Sequence, residues 1–199
     1  MTSSATALTA EQVQITECSN KKSLSHCVAL LQNPKPKLRE DAVFQMGRLD
    51  RPSKDALPYL FRSFNDPNPY VRRSAAFSFA NIIEPSDSYA KSASPKLVSM
   101  LKDSTPEVRA GSGCALARIG RSSATQGVLK HLIPLLSDSN NLVRGAIAGC
   151  LIDMGEYARG AAPYVMPLLD DPNIYTQAAA HGMLTKLGYK VETKSQRKR

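Results

Sequence analysis

Hydrophobic and polar positions repeat along this chain with a long period. An apolar run, one polar residue, a turn and a second apolar run recur as LLQNPKPKLREDAV, SFNDPNPYVRRSAA, MLKDSTPEVRAGSG, LLSDSNNLVRGAIA and LLDDPNIYTQAAAH. Anchored on the polar residue, the phrase falls at Asn33, Asp66, Asp103, Asp138 and Asp171, at intervals of 33, 37, 35 and 33 residues. That period suits a unit of two helices and their turns. Six residues before the anchor stand Cys27, Leu60, Leu97, Leu132 and Val165, and two before it Leu31, Phe64, Leu101, Leu136 and Leu169. A four-residue step of this kind places side chains on one helix face.

A turn rich in Pro or Asn follows the anchor, and then a second apolar series. It runs through +5 (Leu38, Val71, Val108, Val143, Thr176) and +9 (Ala42, Ala75, Ser112, Ile147, Ala180) to +16 (Leu49, Ile82, Ile119, Met154, Leu187). Gly120, Gly155 and Gly188 stand at +17, where a left-handed residue commonly ends a helix. No segment alternates with a period of two for long enough to make a strand. The pattern predicts an all-α chain of five helix pairs, at about residues 22–50, 56–84, 93–120, 128–155 and 161–188. Neither helix of a pair can bury its apolar face alone, so the pairs must stack on one another. Residues 84–94 lengthen one interval and read as a surface loop. Residues 1–21 form a polar segment in which Thr9 and Gln12 can cap a short helix, and residues 189–199 form a basic tail.

The unit resembles a HEAT repeat: a Leu-rich first helix with Asp at its end, Pro in the turn, then Val-Arg opening an Ala-rich second helix. The Val-Arg pair stands at Val71–Arg72, Val108–Arg109 and Val143–Arg144, with Leu38–Arg39 as a variant. The fifth unit has Thr176–Gln177 instead, and the first replaces Asp by Asn33. A first-helix proline of the family matches Pro58, Pro95 and Pro163. The resemblance implies a right-handed α-α superhelix over residues 22–188 that binds another protein along its concave face. It also implies that the series Arg39, Arg72, Arg109 and Arg144 forms a structural ladder with Asp66, Asp103 and Asp138. As a stripe of guanidinium groups, the same series would grip phosphates or carboxylates.

Charge alters the picture only after it is placed. The 26 Lys and Arg exceed the 17 Asp and Glu by nine, but residues 40–185 account for only one of the nine. Residues 1–39 carry an excess of three and residues 186–199 of five, including Lys194, Arg197, Lys198 and Arg199. With +5, +9, +12 and +16 facing the core, the opposite face of the second helices is +7, +10, +11 and +14. Of those 20 residues only Glu40 and Arg73 are charged, and 16 are apolar or glycine. A nucleic-acid cradle needs several cations there. The readings of such a face are a partner against it, crowding of the second helices by curvature, or coverage by the N-terminal segment. The first predicts contacts at Phe44, Arg73, Phe77, Cys114, Ile152 and His181.

Catalysis has little support. His26, His131 and His181 occupy non-equivalent positions, and nucleotide, hydrolase and metalloprotease motifs are missing. Cys18, Cys27, Cys114 and Cys150 lack zinc-ligand spacing, so no metal or cofactor is expected, and they read as free buried thiols. The start of the sequence lacks a secretory pattern, so an intracellular, cytoplasmic protein is expected. One HEAT-like group acts on DNA bases with acid, Arg and Trp residues on a basic face; this chain has no Trp. The chain is also similar to the phycobilin lyases and their chaperone-like relatives, which carry units of the type NPKPKLREDAV and DPNPYVRRSAA. That resemblance implies a bilin or phycobiliprotein against the face, Cys114 or His181 as contacts, and a plastid or cyanobacterial cytosol.

Overall fold

A computed structural model describes residues 18, 24–49, 54–121 and 127–192. Thr9, Gln12 and the basic groups from Lys194 to Arg199 lie outside the described residues. The described residues are all-α, and the chain divides into two compact units, residues 1–82 and 83–199.

In the first unit, α1 (Leu24–Leu30) and α2 (Pro36–Met46) make one pair. A 3₁₀ turn (Lys54–Ala56) leads into α3 (Leu57–Ser63), which pairs with α4 (Pro69–Ile82). Pro36 and Pro69 each open a second helix, where the missing N–H would have no partner in any case. The core holds Cys27, Leu38, Leu57, Leu60 and Val71. Phe64 sits edge-on to both Phe61 and Phe79, with ring centroids 5.7 and 5.2 Å apart.

The second unit opens with α5 (Ser88–Met100) and α6 (Pro106–Ile119). Residues 84–94 are therefore not one loop; the helix starts at Ser88 and carries Pro95 inside it. Next come α7 (Leu129–Leu132), a 3₁₀ stretch (Ile133–Ser137) and α8 (Asn141–Met154). The last pair is a 3₁₀ stretch (Gly155–Ala161), α9 (Ala162–Val165), a further 3₁₀ stretch (Met166–Asp170) and α10 (Ile174–Lys186). The first helices here are short because Pro134 and Pro167 begin the 3₁₀ stretches. Each removes an amide donor and presses its ring on the preceding turn, which favours the tighter 3₁₀ bonding there, whereas α5 accommodates Pro95 within a longer helix.

The repeat register accounts for the core of both units. Every residue six before an anchor, and every residue at +5 and +9, is buried. The polar members are satisfied: the Thr176 hydroxyl donates to the Asn141 carbonyl at 3.2 Å, and Ser112 to the Val108 carbonyl at 2.7 Å. The expected left-handed stops occur at Gly155 (φ 55°) and Gly188 (φ 84°). Gly120 differs, with φ −70°. It is small for another reason: an added Cβ would lie 2.7 Å from the Met154 methyl carbon.

Close approach of consecutive second helices explains much of the Ala and Gly content. A Cβ on Gly47, which caps α2, would lie 2.8 Å from the Ser78 Cα of α4, and one on Gly145 of α8 3.2 Å from the Thr176 hydroxyl of α10. A Cβ on Gly113 would run into the Ile147 side chain. Gly47→Ala must move backbone, so it is expected to cost about 1–3 kcal/mol in denaturant unfolding. At Gly149 nothing lies within 4 Å. Gly149→Ala is expected to stabilise by roughly 0.5–1 kcal/mol through helix propensity.

Candidate functional site

The anchor and the arginine six residues later form a repeated device. In all five units the anchor side chain accepts the amide two residues on, at 2.9 Å: Lys35 to Asn33, Asn68 to Asp66, Thr105 to Asp103, Asn140 to Asp138 and Asn173 to Asp171. This closes the turn between the helices. Arg39, Arg72, Arg109 and Arg144 each donate Nη1 to the carbonyl of their own anchor at 2.8–2.9 Å. Arg39 also grips Asp66 in bidentate fashion at 2.8 and 2.9 Å. In the second unit Arg109 grips Asp138 (2.8 and 2.8 Å) and Arg144 grips Asp171 (2.7 and 2.9 Å). Arg39, Arg109 and Arg144 thus each tie their own turn to the acid of the next repeat. Gln177, at the Arg position of the fifth unit, keeps the inner half, donating to the Asp171 carbonyl at 2.5 Å.

These carboxyls titrate low. The Arg109 and Arg144 guanidinium groups hold Asp138 and Asp171 below the usual carboxylate range. At Asp66 burial pushes the other way, but Arg39 and the Asn68 amide outweigh it. A carboxyl depressed in the folded state stabilises above its unfolded pKa, and that contribution is lost as pH falls through the folded value. Chemical unfolding is therefore expected to lose stability steadily below about pH 4. Asp138→Asn should remove part of that slope.

The exposed face of the second helices is rotated from the expected one. Of the anticipated residues, Val43, Ala76, Ala110, Gly113, Ala117 and Ala148 are buried. Positions +10 and +14 point toward the neighbouring second helix instead, so Ile152 packs near Gly182 of α10 (3.5 Å from an added Cβ). His181, at +10 of the last repeat, is half-buried and lies 3.4 Å from the Thr185 hydroxyl. Cys114 is only 9% exposed and bonded to Cys150, so it is not a free partner contact. The cysteines are not free thiols: Cys18–Cys27 is the other disulfide. Spacing along the sequence carries no trace of the Cys114–Cys150 pairing, because it joins residues on separate helices. The face that does meet solvent centres on +4, +11 and +15. It is mixed in charge rather than nearly neutral, with Lys37, Arg48, Glu107, Arg118, Asp153 and Lys186 on it.

On the first unit Phe44 and Phe77 stand at +11 of α2 and α4, 47% and 38% exposed. Arg48 lies over the Phe44 ring at 5.3 Å, and Arg73 over the Tyr70 ring at 5.4 Å. Arg73 also pairs with Glu40, which Lys37 approaches at 3.5 Å. On the second unit Leu142 and Tyr175, the latter 80% exposed, flank a cleft of about 420 Å³ between α8 and α10. Tyr70, Leu142 and Tyr175 all occupy +4, seven residues before +11 and hence on the same helix face. That spacing was the available signal for them. Among the described residues no group of three His, Cys, Asp or Glu is placed to hold a metal ion. None of the described helices is long and apolar enough to cross a membrane.

The model of HEAT repeats matches residues 24–93, 64–132 and 94–185. The chain belongs to the HEAT-repeat family. The Arg–Asp ladder is thus the internal bonding of a HEAT array in this protein. Solved structures agree with the fold. A designed armadillo repeat protein in complex with the peptide (KR)4 is 21% identical, with a TM-score of 0.61 over 89% of this chain and 86% of that one. The complex of CpcE and CpcF of phycocyanin lyase from Nostoc sp. PCC7120 is 19% identical, with a TM-score of 0.65 over 94% of this chain and 68% of that one. An engineered protein gives 18% identity and a TM-score of 0.65 over 92% and 94%. Among curated proteins, none matches this HEAT-repeat sequence.

Proposed function

We propose that this HEAT-repeat protein is a non-catalytic scaffold that holds a partner polypeptide on the exposed face of its second helices. The observation that carries the reading is the pair Phe44 and Phe77. Two large rings stand at equivalent positions on consecutive second helices, 47% and 38% exposed, with Arg48 over the first and Tyr70 on the same face. Paired exposed aromatics of this kind are typical anchors of protein interfaces. Helices locked by the ladder would present them with little ordering cost on binding. The designed armadillo protein with its bound peptide supports the same use of the fold.

Affinity capture from the native cell with wild type and Phe77→Asp tests this. The substitution is expected to weaken capture by about 30-fold or more, the effect of a hot-spot residue, with the helical circular-dichroism signal unchanged. Undiminished capture removes Phe77 from the site. A second reading, assistance in bilin attachment to a phycobiliprotein, draws on the likeness of fold to the CpcE and CpcF complex. Co-expression with a phycobiliprotein and a bilin separates the two. A coloured covalent adduct formed only in the presence of this chain favours the second reading; its absence favours the scaffold.

A further inference from the structure

Two disulfides hold this chain, and their surroundings differ. Cys18 and Cys27 are both fully buried, so a reductant meets neither sulfur without opening the fold. Cys114 on α6 and Cys150 on α8 join consecutive second helices across 36 residues of sequence. Cys114 is buried, but Cys150 remains partly exposed. Arg118 lies one turn after Cys114 on α6, a spacing that puts the two on one helix face. Its Nη2 donates to Glu84 at 3.1 Å, while its Nε is buried with no hydrogen-bond acceptor.

We propose that Cys114–Cys150 is an exchange site for dithiol reductants, attacked at Cys150 and released at Cys114. A thiolate of the dithiol attacks the sulfur of the partly exposed Cys150, and the Cys114–Cys150 bond breaks. Cys114 leaves as a thiolate, one helical turn from Arg118 on the same helix face, and takes up a proton. The second thiol of the dithiol, once deprotonated, attacks the mixed disulfide and releases Cys150. The dithiol is oxidised to its disulfide by two electrons, and two protein thiols are formed. Accessibility selects the sulfur attacked, and a stabilised thiolate is the better leaving group. The positive charge of Arg118 one turn away, with its Nε buried and without an acceptor, favours an anion on this face of α6.

The test uses the full chain purified without reductant, exposed to graded dithiothreitol, quenched with N-ethylmaleimide and mapped by peptide. Cys114 and Cys150 should be labelled about ten-fold or more faster than Cys18 and Cys27, because access governs exchange. Arg118→Gln should slow the first pair several-fold and leave the second unchanged, while Arg118→Lys, which keeps the charge, should retain most of the rate. The ordering of the two pairs in wild type needs no variant, so it stands even if Arg118→Gln folds poorly. Labelling of both pairs at one rate, or Cys18 and Cys27 first, overturns the proposal. So does free-thiol labelling before any reductant is added.

Discussion

Arg144→Ala is expected to lower the unfolding free energy by about 3 kcal/mol, near the lower end for removing one partner of a buried ion pair. The side chain makes four hydrogen bonds: two to Asp171, one to the Asp138 carbonyl and one to the Ser139 carbonyl. Its loss leaves Asp171, 5% exposed in its side chain, with only the Asn173 amide as an observed partner. An isolated buried carboxylate is the costly outcome, rather than the missing attraction. Arg144 itself keeps 16% exposure, which lets water soften the cost. Gln177 supplies the control, because it makes the inner bond and no outer one. Arg144→Gln should retain the bond to the Asp138 carbonyl and cost less than Arg144→Ala. Arg144→Gln with Asp171→Asn should recover part of the loss, since no charge is then stranded. Urea unfolding of the four proteins measures it. Equal stability of Arg144→Ala and wild type would show that the ladder is ornamental.

Removing the Cys114–Cys150 bond by a double alanine substitution is expected to cost about 4 kcal/mol, from the entropy that a loop of this length removes from the unfolded chain. For a chain of this size that lowers Tm by roughly 8–16 °C. The Cys18–Cys27 loop is shorter, and the same relation gives about 2.5 kcal/mol. The order of the two variants therefore checks the chain-entropy argument as well as the pairing. A Cys114→Ala, Cys150→Ala protein that melts with wild type would mean the bond is not formed in solution.

How much of this was legible beforehand differs by element. Cys27, Leu60, Leu97, Leu132 and Val165 are all buried as the periodicity required. Burial repeats in every unit, so five copies average out local exceptions. The Arg and Asp series was also legible as residues, but its direction, from own turn to next acid, needed the fold. The exposed face was misplaced because an Ala or Gly stripe has two causes that look alike in sequence: contact with a partner and contact with the next helix. Gly47 and Gly145 are small for the second reason. Charged residues at +15, such as Arg48 and Lys186, were the better marker of solvent, since a charge resists burial where a glycine does not. The 3₁₀ stretches were foreshadowed by Pro134 and Pro167, which stand outside the family's proline series. The even count of four cysteines was compatible with the disulfides, but their spacing gave no sign of which residues pair.

The two neutral members of the ladder bear on assembly. Asn33 offers no carboxylate to an incoming guanidinium, and Gln177 offers no guanidinium to an outgoing acid. A second molecule abutting head to tail would bring amide to amide, where every ladder junction seen within a unit has a bidentate ion pair. Head-to-tail contacts that do not close into a ring propagate into filaments. A head-to-tail contact through these two residues would therefore lack the bidentate ion pair that joins repeats within a unit, so any such assembly would need another source of affinity.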